Sequence, residues 1–263
     1  MPTPADQILA KAILPTDADT KTIRETVPAE IRRRSFFSAR TSEAEYLAKA
    51  RQVCADVAAG RIGSGEARFR LEGFLDSLRT YGGEPGNPSG DLTDIGSIAR
   101  LDLIIDTQRD MAHSVALLDA QTDANLDAFP AWRLVRFGTR EVPRKWGERW
   151  AAAVAACGGE GCARNGEMVA LKGSPVWAQL GAGAGGYKDT LGNPFPPFAF
   201  NSGMDWESVD REEAEGLGLV PADAKKGKRP SLDPSVADLT RVAKRIGPGF
   251  EADLKAWAKG ENA

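Results

Sequence analysis

The stretch Gly192-Asn193-Pro194-Phe195-Pro196-Pro197-Phe198-Ala199-Phe200-Asn201-Ser202-Gly203-Met204 restricts the fold more than any other part of the chain. Pro194, Pro196 and Pro197 lack an N–H and fix φ, so they neither continue a helix nor occupy a central strand. The segment has to be an ordered loop. Its three phenylalanines can each bury about 150–250 Å² and need cover. The loop either packs on its own domain, the commoner arrangement for large aromatics, or docks against a partner. In the second case Phe195, Phe198 and Phe200 are the contact residues.

Five of the six tryptophans and five of the ten phenylalanines lie between Phe129 and Trp206, so the loop sits inside the most aromatic part of the chain. At 263 residues there is material for one large domain or two small ones. The apolar share of 42% and charged share of 27% are ordinary for a soluble protein. No apolar run is long enough to span a bilayer, and Met1 to Lys11 carries Asp6 and no basic n-region. Neither membrane insertion nor a secretory leader is expected. Three cysteines, an odd number, argue against a disulfide framework and for a reducing compartment.

Apolar spacing predicts a largely helical first half. Thr3-Pro4 with Ile8, Leu9, Ala12 and Ile13 reads as a short capped helix stopped by Pro15. Residues 18–40 hold Ile23, Val27, Ile31, Phe36 and Phe37, broken by Pro28. They also carry Arg32-Arg33-Arg34, which reads either as a solvated helix face or as a contact for an acidic partner. Ser42 and Glu45 form a capping-box pattern ahead of a helix over about 43–59. A second helix follows Ser64 and ends near Tyr81, pairing with the first across the Gly60 to Gly65 turn. The turn formers of Gly82 to Gly90 mark a boundary. After them, Ile95, Ile98, Leu101, Ile105, Ala112, Val115 and Leu118 predict a long helix over about 94–119.

The second half reads as mixed. Trp132 to Phe137 has the composition of a strand, Trp146 to Ala156 that of a helix, and Met168 to Leu171 that of a second strand. Ser174-Pro175-Val176-Trp177 starts a helical turn, Gly181 to Gly186 is a flexible link, and Asp205 to Gly216 reads as a short closing helix. The expected architecture is α+β and predominantly α-helical. It comprises an N-terminal helical region over 1–93, a mixed domain with an ordered aromatic loop over 94–217, and a basic linker with short amphipathic tail helices over 218–263. Residues 221–263 hold nine Lys and Arg against six Asp and Glu in a chain of net charge −3. That imbalance is small for a nucleic-acid footprint. Two amphipathic pieces, about 234–245 and 250–259, lie in the tail, and Trp257 of the second is a candidate contact.

Candidate chemistry is sparse. Cys157 and Cys162 match metal-ligand spacing loosely, and a tetrahedral set would need Cys54 and a histidine from distant helices, so no metal is expected. A bond between Cys157 and Cys162 is read as oxidation during handling. His113, the single histidine, lies one turn from Arg109 and Asp110. An acid–base or Cys–His site could be assembled there, but helix histidines beside charges are mostly surface groups. Asn201-Ser202-Gly203 lacks the Gly-x-Ser-x-Gly elbow, and Gly181 to Gly186 lacks the Gly-Lys-Ser/Thr ending of a phosphate loop. The chain is read as no enzyme, with no cofactor.

Asp106-Thr107-Gln108-Arg109-Asp110-Met111-Ala112 on the long helix, Trp146, Trp150, the run Val169-Ala170-Leu171-Lys172-Gly173-Ser174-Pro175-Val176-Trp177 and Pro196-Pro197-Phe198 together carry a resemblance. Over about 94–217, and more weakly over 1–93, the chain resembles the phage head morphogenesis proteins similar to phage Mu protein F, also called minor head proteins. Many members end this region with Pro-Pro, a His and closely spaced Cys residues. Here Phe198, Ala199 and Phe200 follow Pro196-Pro197, so the metal or disulfide element of those members is not carried over. The resemblance implies a structural protein of a tailed phage or prophage, made in the host cytoplasm and resident in the virion head at the portal vertex. Its implied partners are the portal protein and other head or head–tail connector proteins, with an option of weak contact with packaged DNA and of a part in genome packaging or ejection. Two other readings stay open. One is a virion-borne enzyme or toxin module centred on His113, Arg109 and Asp110. The other is a DNA-contacting packaging accessory using Arg32, Arg33, Arg34 and the Lys225 to Arg229 cluster.

Overall fold

A computed structural model describes residues 2–79, 90–138 and 144–220. The fold is α+β and predominantly helical, and the described residues divide into two compact units, 2–113 and 114–220. The chain passes from one to the other between His113 and Ser114, inside a helix, whereas the sequence reading put its boundary at 93/94. The reason is that Leu101, Ile105 and Ala112 belong to the core of the first unit. The tail, including Trp257 and the Lys225 to Arg229 cluster, lies outside the described residues, as do most of the Gly82 to Gly90 turn formers.

In the 2–113 unit, α1 (Pro4–Leu9) starts at Thr3. The Thr3 hydroxyl accepts from the Asp6 N–H at 3.2 Å, and the Thr3 N–H donates to Asp6 Oδ2 at 2.8 Å, a reciprocal cap that satisfies two otherwise orphaned donors. The chain then forms β1 (Ala12–Ile13), α2 (Thr20–Thr26), α3 (Ala29–Arg34) and β2 (Ser35–Phe36), with β1 and β2 paired in parallel. The longer helices are α4 (Ala44–Ala58), α5 (Ser64–Arg79) and α6 (Ile98–Asp119). On α4 the buried residues Tyr46, Leu47, Ala50, Val53 and Cys54 follow the three-and-four spacing that puts them on one side, and α4 packs against α5. The α6 helix begins four residues later than its apolar stripe suggested. Asp91 Oδ1 accepts from the Thr93 N–H and Asp94 Oδ1 from the Gly96 N–H, holding turns, and Ser97 Oγ then accepts from the Arg100 N–H as the helix starts.

In the 114–220 unit, α7 (Asp123–Ala128) precedes β3 (Ala131–Arg136), the centre of a three-stranded antiparallel sheet. Its neighbours are β4 (Val169–Leu171) and β5 (Met204–Val209), with Trp132 opposite both Ala170 and Ser208, and Leu134 opposite Trp206. Helices α8 (Trp146–Ala156), α9 (Val176–Ala182) and α10 (Arg211–Gly216) complete the unit. The single helix expected over Asp205 to Gly216 is therefore a strand followed by a helix. The strand runs six residues in register with β3, and Asp210 then caps α10 by accepting from the Glu213 N–H at 2.8 Å. Side chains alternate across β3, so Trp132 and Leu134 face one way and Ala131 the other. Ala131, Val169 and Val209 make the second face, covered by Ala214 of α10 and by Leu219. The segment expected to be a flexible link is partly helical, since α9 continues to Ala182 and closes on Gly183 in the left-handed region at φ 82°.

Candidate functional site

Of the residues that carry the resemblance, Trp150, Trp177 and Phe198 meet on the tryptophan face of the sheet, whereas Asp106 to Ala112 lie in the 2–113 unit. Trp132 of β3 and Trp206 of β5 are diagonal neighbours on one face and stack with ring centroids 3.7 Å apart and planes 9° from parallel. Trp177 of α9 stands edge-on to Trp132, Trp150 and Trp206 at 6.2, 5.3 and 5.5 Å, and Phe198 lies 6.1 Å from Trp177. The Trp177 indole N–H donates to Leu171 O at 2.9 Å, so the ring is fixed to β4 as well as packed. Register explains the arrangement, since a slip of one residue between β3 and β5 would send Trp132 and Trp206 to opposite faces.

The proline-rich loop closes over this cluster. The Leu191 N–H donates to Phe198 O at 2.9 Å, Asn193 Nδ2 donates to Pro197 O at 3.3 Å, and the Pro196–Pro197 bond is cis. The Gly192 N–H donates to Gly181 O at 3.0 Å, drawing the loop against α9. A Cβ on Gly181 would stand 1.7 Å from Asn193 O, so only glycine fits there. Phe195 and Phe198 are 2% and 0% exposed and Phe200 is half-buried. The loop thus packs on its own unit. Phe195 and Phe198 are withdrawn from the contact role that the sequence left open to them, because their rings are already covered.

Charged groups in this unit are mostly engaged with one another. Arg149 of α8 forms paired bonds to Asp189 at 2.8 and 2.9 Å and lies between the rings of Trp146 and Tyr187, 5.2 and 4.2 Å from their centroids. Arg144 reaches Asp189 at 3.1 Å. Burial raises the Asp189 pKa, but Arg149 and Arg144 outweigh it and hold the carboxyl below its usual range. Lys172, between β4 and α9, is 3% exposed. Its ammonium donates to Gln121 Oε1 at 2.8 Å over the face of Trp132, 5.3 Å from the centroid, and burial pushes its pKa down to about 8. The 2–113 unit holds a parallel case in Lys11, which donates to Gln108 Oε1 at 2.6 Å and is likewise pushed down to about 8 by burial. Neither buried amine was legible in the sequence, because a single lysine reads as surface even beside apolar neighbours such as Ala10 and Ala12 or Leu171.

The remaining candidates are spread out. Arg32, Arg33 and Arg34 end α3 and are half-buried, so they do not form a fully solvated face. His113 is exposed on α6, while Arg109 pairs with Asp106 at 3.0 Å and Asp110 at 2.9 Å. Among the described residues no three His, Cys, Asp or Glu side chains are grouped as a metal ion would require, and no helix is long and apolar enough to cross a membrane. Sequence reasoning missed the most exposed aromatics among the described residues. Phe69 of α5 and Phe137, just beyond β3, are 71% and 73% exposed, and in the sequence both look like ordinary members of apolar runs. No protein-family model matches the chain, and no curated protein or solved structure is significantly similar to it.

Proposed function

We propose that the protein is a structural minor head protein of a tailed bacteriophage or prophage, associating with the portal vertex during capsid assembly and resident in the virion head. One observation supports this reading above the others. Trp150, Trp177, Lys172, Pro196, Pro197 and Phe198, six of the residues on which the resemblance to Mu F-like head proteins rests, are all buried in the 114–220 unit, while its Asp106 to Ala112 part lies in the 2–113 unit. They account for an interior scaffold. Partner contact then falls to exposed groups such as Phe69 and Phe137 and to the basic tail after Pro221. Co-expression with a portal protein, followed by affinity capture and native mass measurement, tests the proposal. A complex of defined stoichiometry is expected. Recovery of the chain alone at concentrations where head proteins assemble would contradict it.

A further inference from the structure

The segment between α8 and β4 brings two thiols together in a way that the proposed structural role does not use. Cys157 is the residue on which α8 ends, with its N–H donating back to Ala153 O. From there the chain folds back through two successive tight turns. The Glu160 N–H donates to Cys157 O at 3.4 Å and the Cys162 N–H to Gly159 O at 3.2 Å. Turns of this kind bring residues three apart to within about 7 Å between Cα atoms. They need backbone conformations that favour glycine, and Gly158, Gly159 and Gly161 supply them at φ 65°, 74° and 66°. Cys162 is then held on the sheet, opposite Ala170 in a β-bridge, with the Ala163 N–H donating to Val169 O at 2.9 Å. Its thiol lies 3.7 Å from Ser174 Oγ, and the Cys157 side chain is close enough to act on it.

We infer that Cys157 and Cys162 form a dithiol site that low-molecular-weight disulfides convert to an intramolecular disulfide, joining the end of α8 to the edge of β4. The division of labour follows from exposure. Cys157 is half-buried and meets the oxidant, while Cys162 is buried at 7% exposure and resolves the adduct. Cys157 loses its proton to solvent and its thiolate attacks one sulfur of the oxidant, whose S–S bond breaks and releases one small thiolate. Cys162 then loses its proton and attacks the Cys157 sulfur, displacing the second small thiolate. Two protein thiols are oxidised and one small disulfide is reduced to two thiols. Burial pushes the Cys162 thiol up to about 11, so it attacks only after giving up a proton that burial holds on. Cys54, fully buried in the other unit and pushed up to about 12 by burial, has no part in it and serves as an internal reference.

The test incubates the reduced full-length protein with glutathione disulfide, quenches with an alkylating agent, and reads intact mass and peptide maps. The expected product has lost two hydrogens, carries a linked Cys157–Cys162 peptide and retains Cys54 as a thiol, and dithiothreitol reverses the change. Cys162→Ser is expected to stop at a single glutathione adduct on Cys157, and Cys157→Ser to react at least tenfold more slowly than the native chain. A native chain that does not react, that accumulates the Cys157 adduct without resolving it, or that links either residue to Cys54 would overturn the inference. These outcomes need no variant to fold, and none depends on binding to a portal.

Discussion

The two units cover apolar surface by different means. In the 2–113 unit, buried positions recur along α4, α5 and α6 and are filled mainly by alanine and branched aliphatics such as Leu47, Val53, Leu71, Leu101 and Ile105. In the 114–220 unit, three indoles and Phe198 meet around Trp177 of α9, and they come from β3, α8, β5 and the proline-rich loop. An aliphatic helical core spreads its stabilisation over many similar contacts. An aromatic core concentrates it on a few rings whose placement depends on strand register and on one close approach between Gly181 and Asn193. The first kind tolerates local error better than the second.

Substitutions that remove the hub should therefore have the largest effect. Trp177→Ala is expected to cost about 3–5 kcal/mol in denaturant unfolding and to abolish the near-ultraviolet circular dichroism of the coupled indoles. In the aliphatic core, Leu101→Ala should cost about 2–4 kcal/mol and leave that signal largely in place. Equal loss of the indole signal in both variants would erase the distinction between the two cores. Next comes Gly181→Ala, which adds one methyl where the obstacle is the Asn193 backbone. A loss of about 1–3 kcal/mol is expected, while Gly73→Ala, whose added Cβ meets nothing within 4 Å, should be neutral or slightly stabilising through helix propensity.

The smallest effect is a pH dependence shared by both units. Lys11 and Lys172 have folded pKa values pushed from 10.5 to about 8, so between pH 8 and 10.5 the unfolded chain binds protons that the folded chain does not. The two amines therefore make stability rise with pH from about 8, and their destabilising contribution is fully present below it; above 9 the Cys54 and Cys162 thiols, raised by burial to about 12 and about 11, hold protons that the unfolded chain has lost and oppose the rise. Melting temperature measured from pH 7.5 to 9 should increase for the native chain, less for Lys172→Met, and least for the Lys11→Met, Lys172→Met pair. A flat or falling profile in the native chain would show that the two amines stay solvated.

What could be read in the sequence follows the same contrast. The α4 and α5 helices were legible because apolar spacing and the Gly60 to Gly65 turn agree with each other, although the Ser42 and Glu45 capping box is not formed and α4 follows Glu43 with no side-chain cap. That the proline-rich stretch is a loop followed from Pro194, Pro196 and Pro197 alone. Where its rings point was not legible, since Phe195 and Phe198 are covered by residues distant in the sequence, and local pattern carries no information about that. The β5 strand was missed because Asp205, Glu207 and Asp210 give it the composition of a helix start, and its pairing with β3 overrides that local preference. The half-buried state of Arg32 to Arg34 and the burial of Lys172 were hidden for a related reason, because a charged side chain is read as surface unless its partner is known.

The central claim is that the aromatic block from Trp132 to Trp206 is an interior and that partner contact lies elsewhere. Amide hydrogen exchange on the full-length chain, alone and with a portal protein, tests it most directly. The Leu191 and Gly192 amides and those that β5 pairs with β3 should be protected in the free protein and unchanged on adding the portal, with new protection appearing outside residues 190–209. Rapid exchange over 190–203 in the free chain, slowed only when the portal is present, would contradict the account and return Phe195 and Phe198 to the role of docking residues.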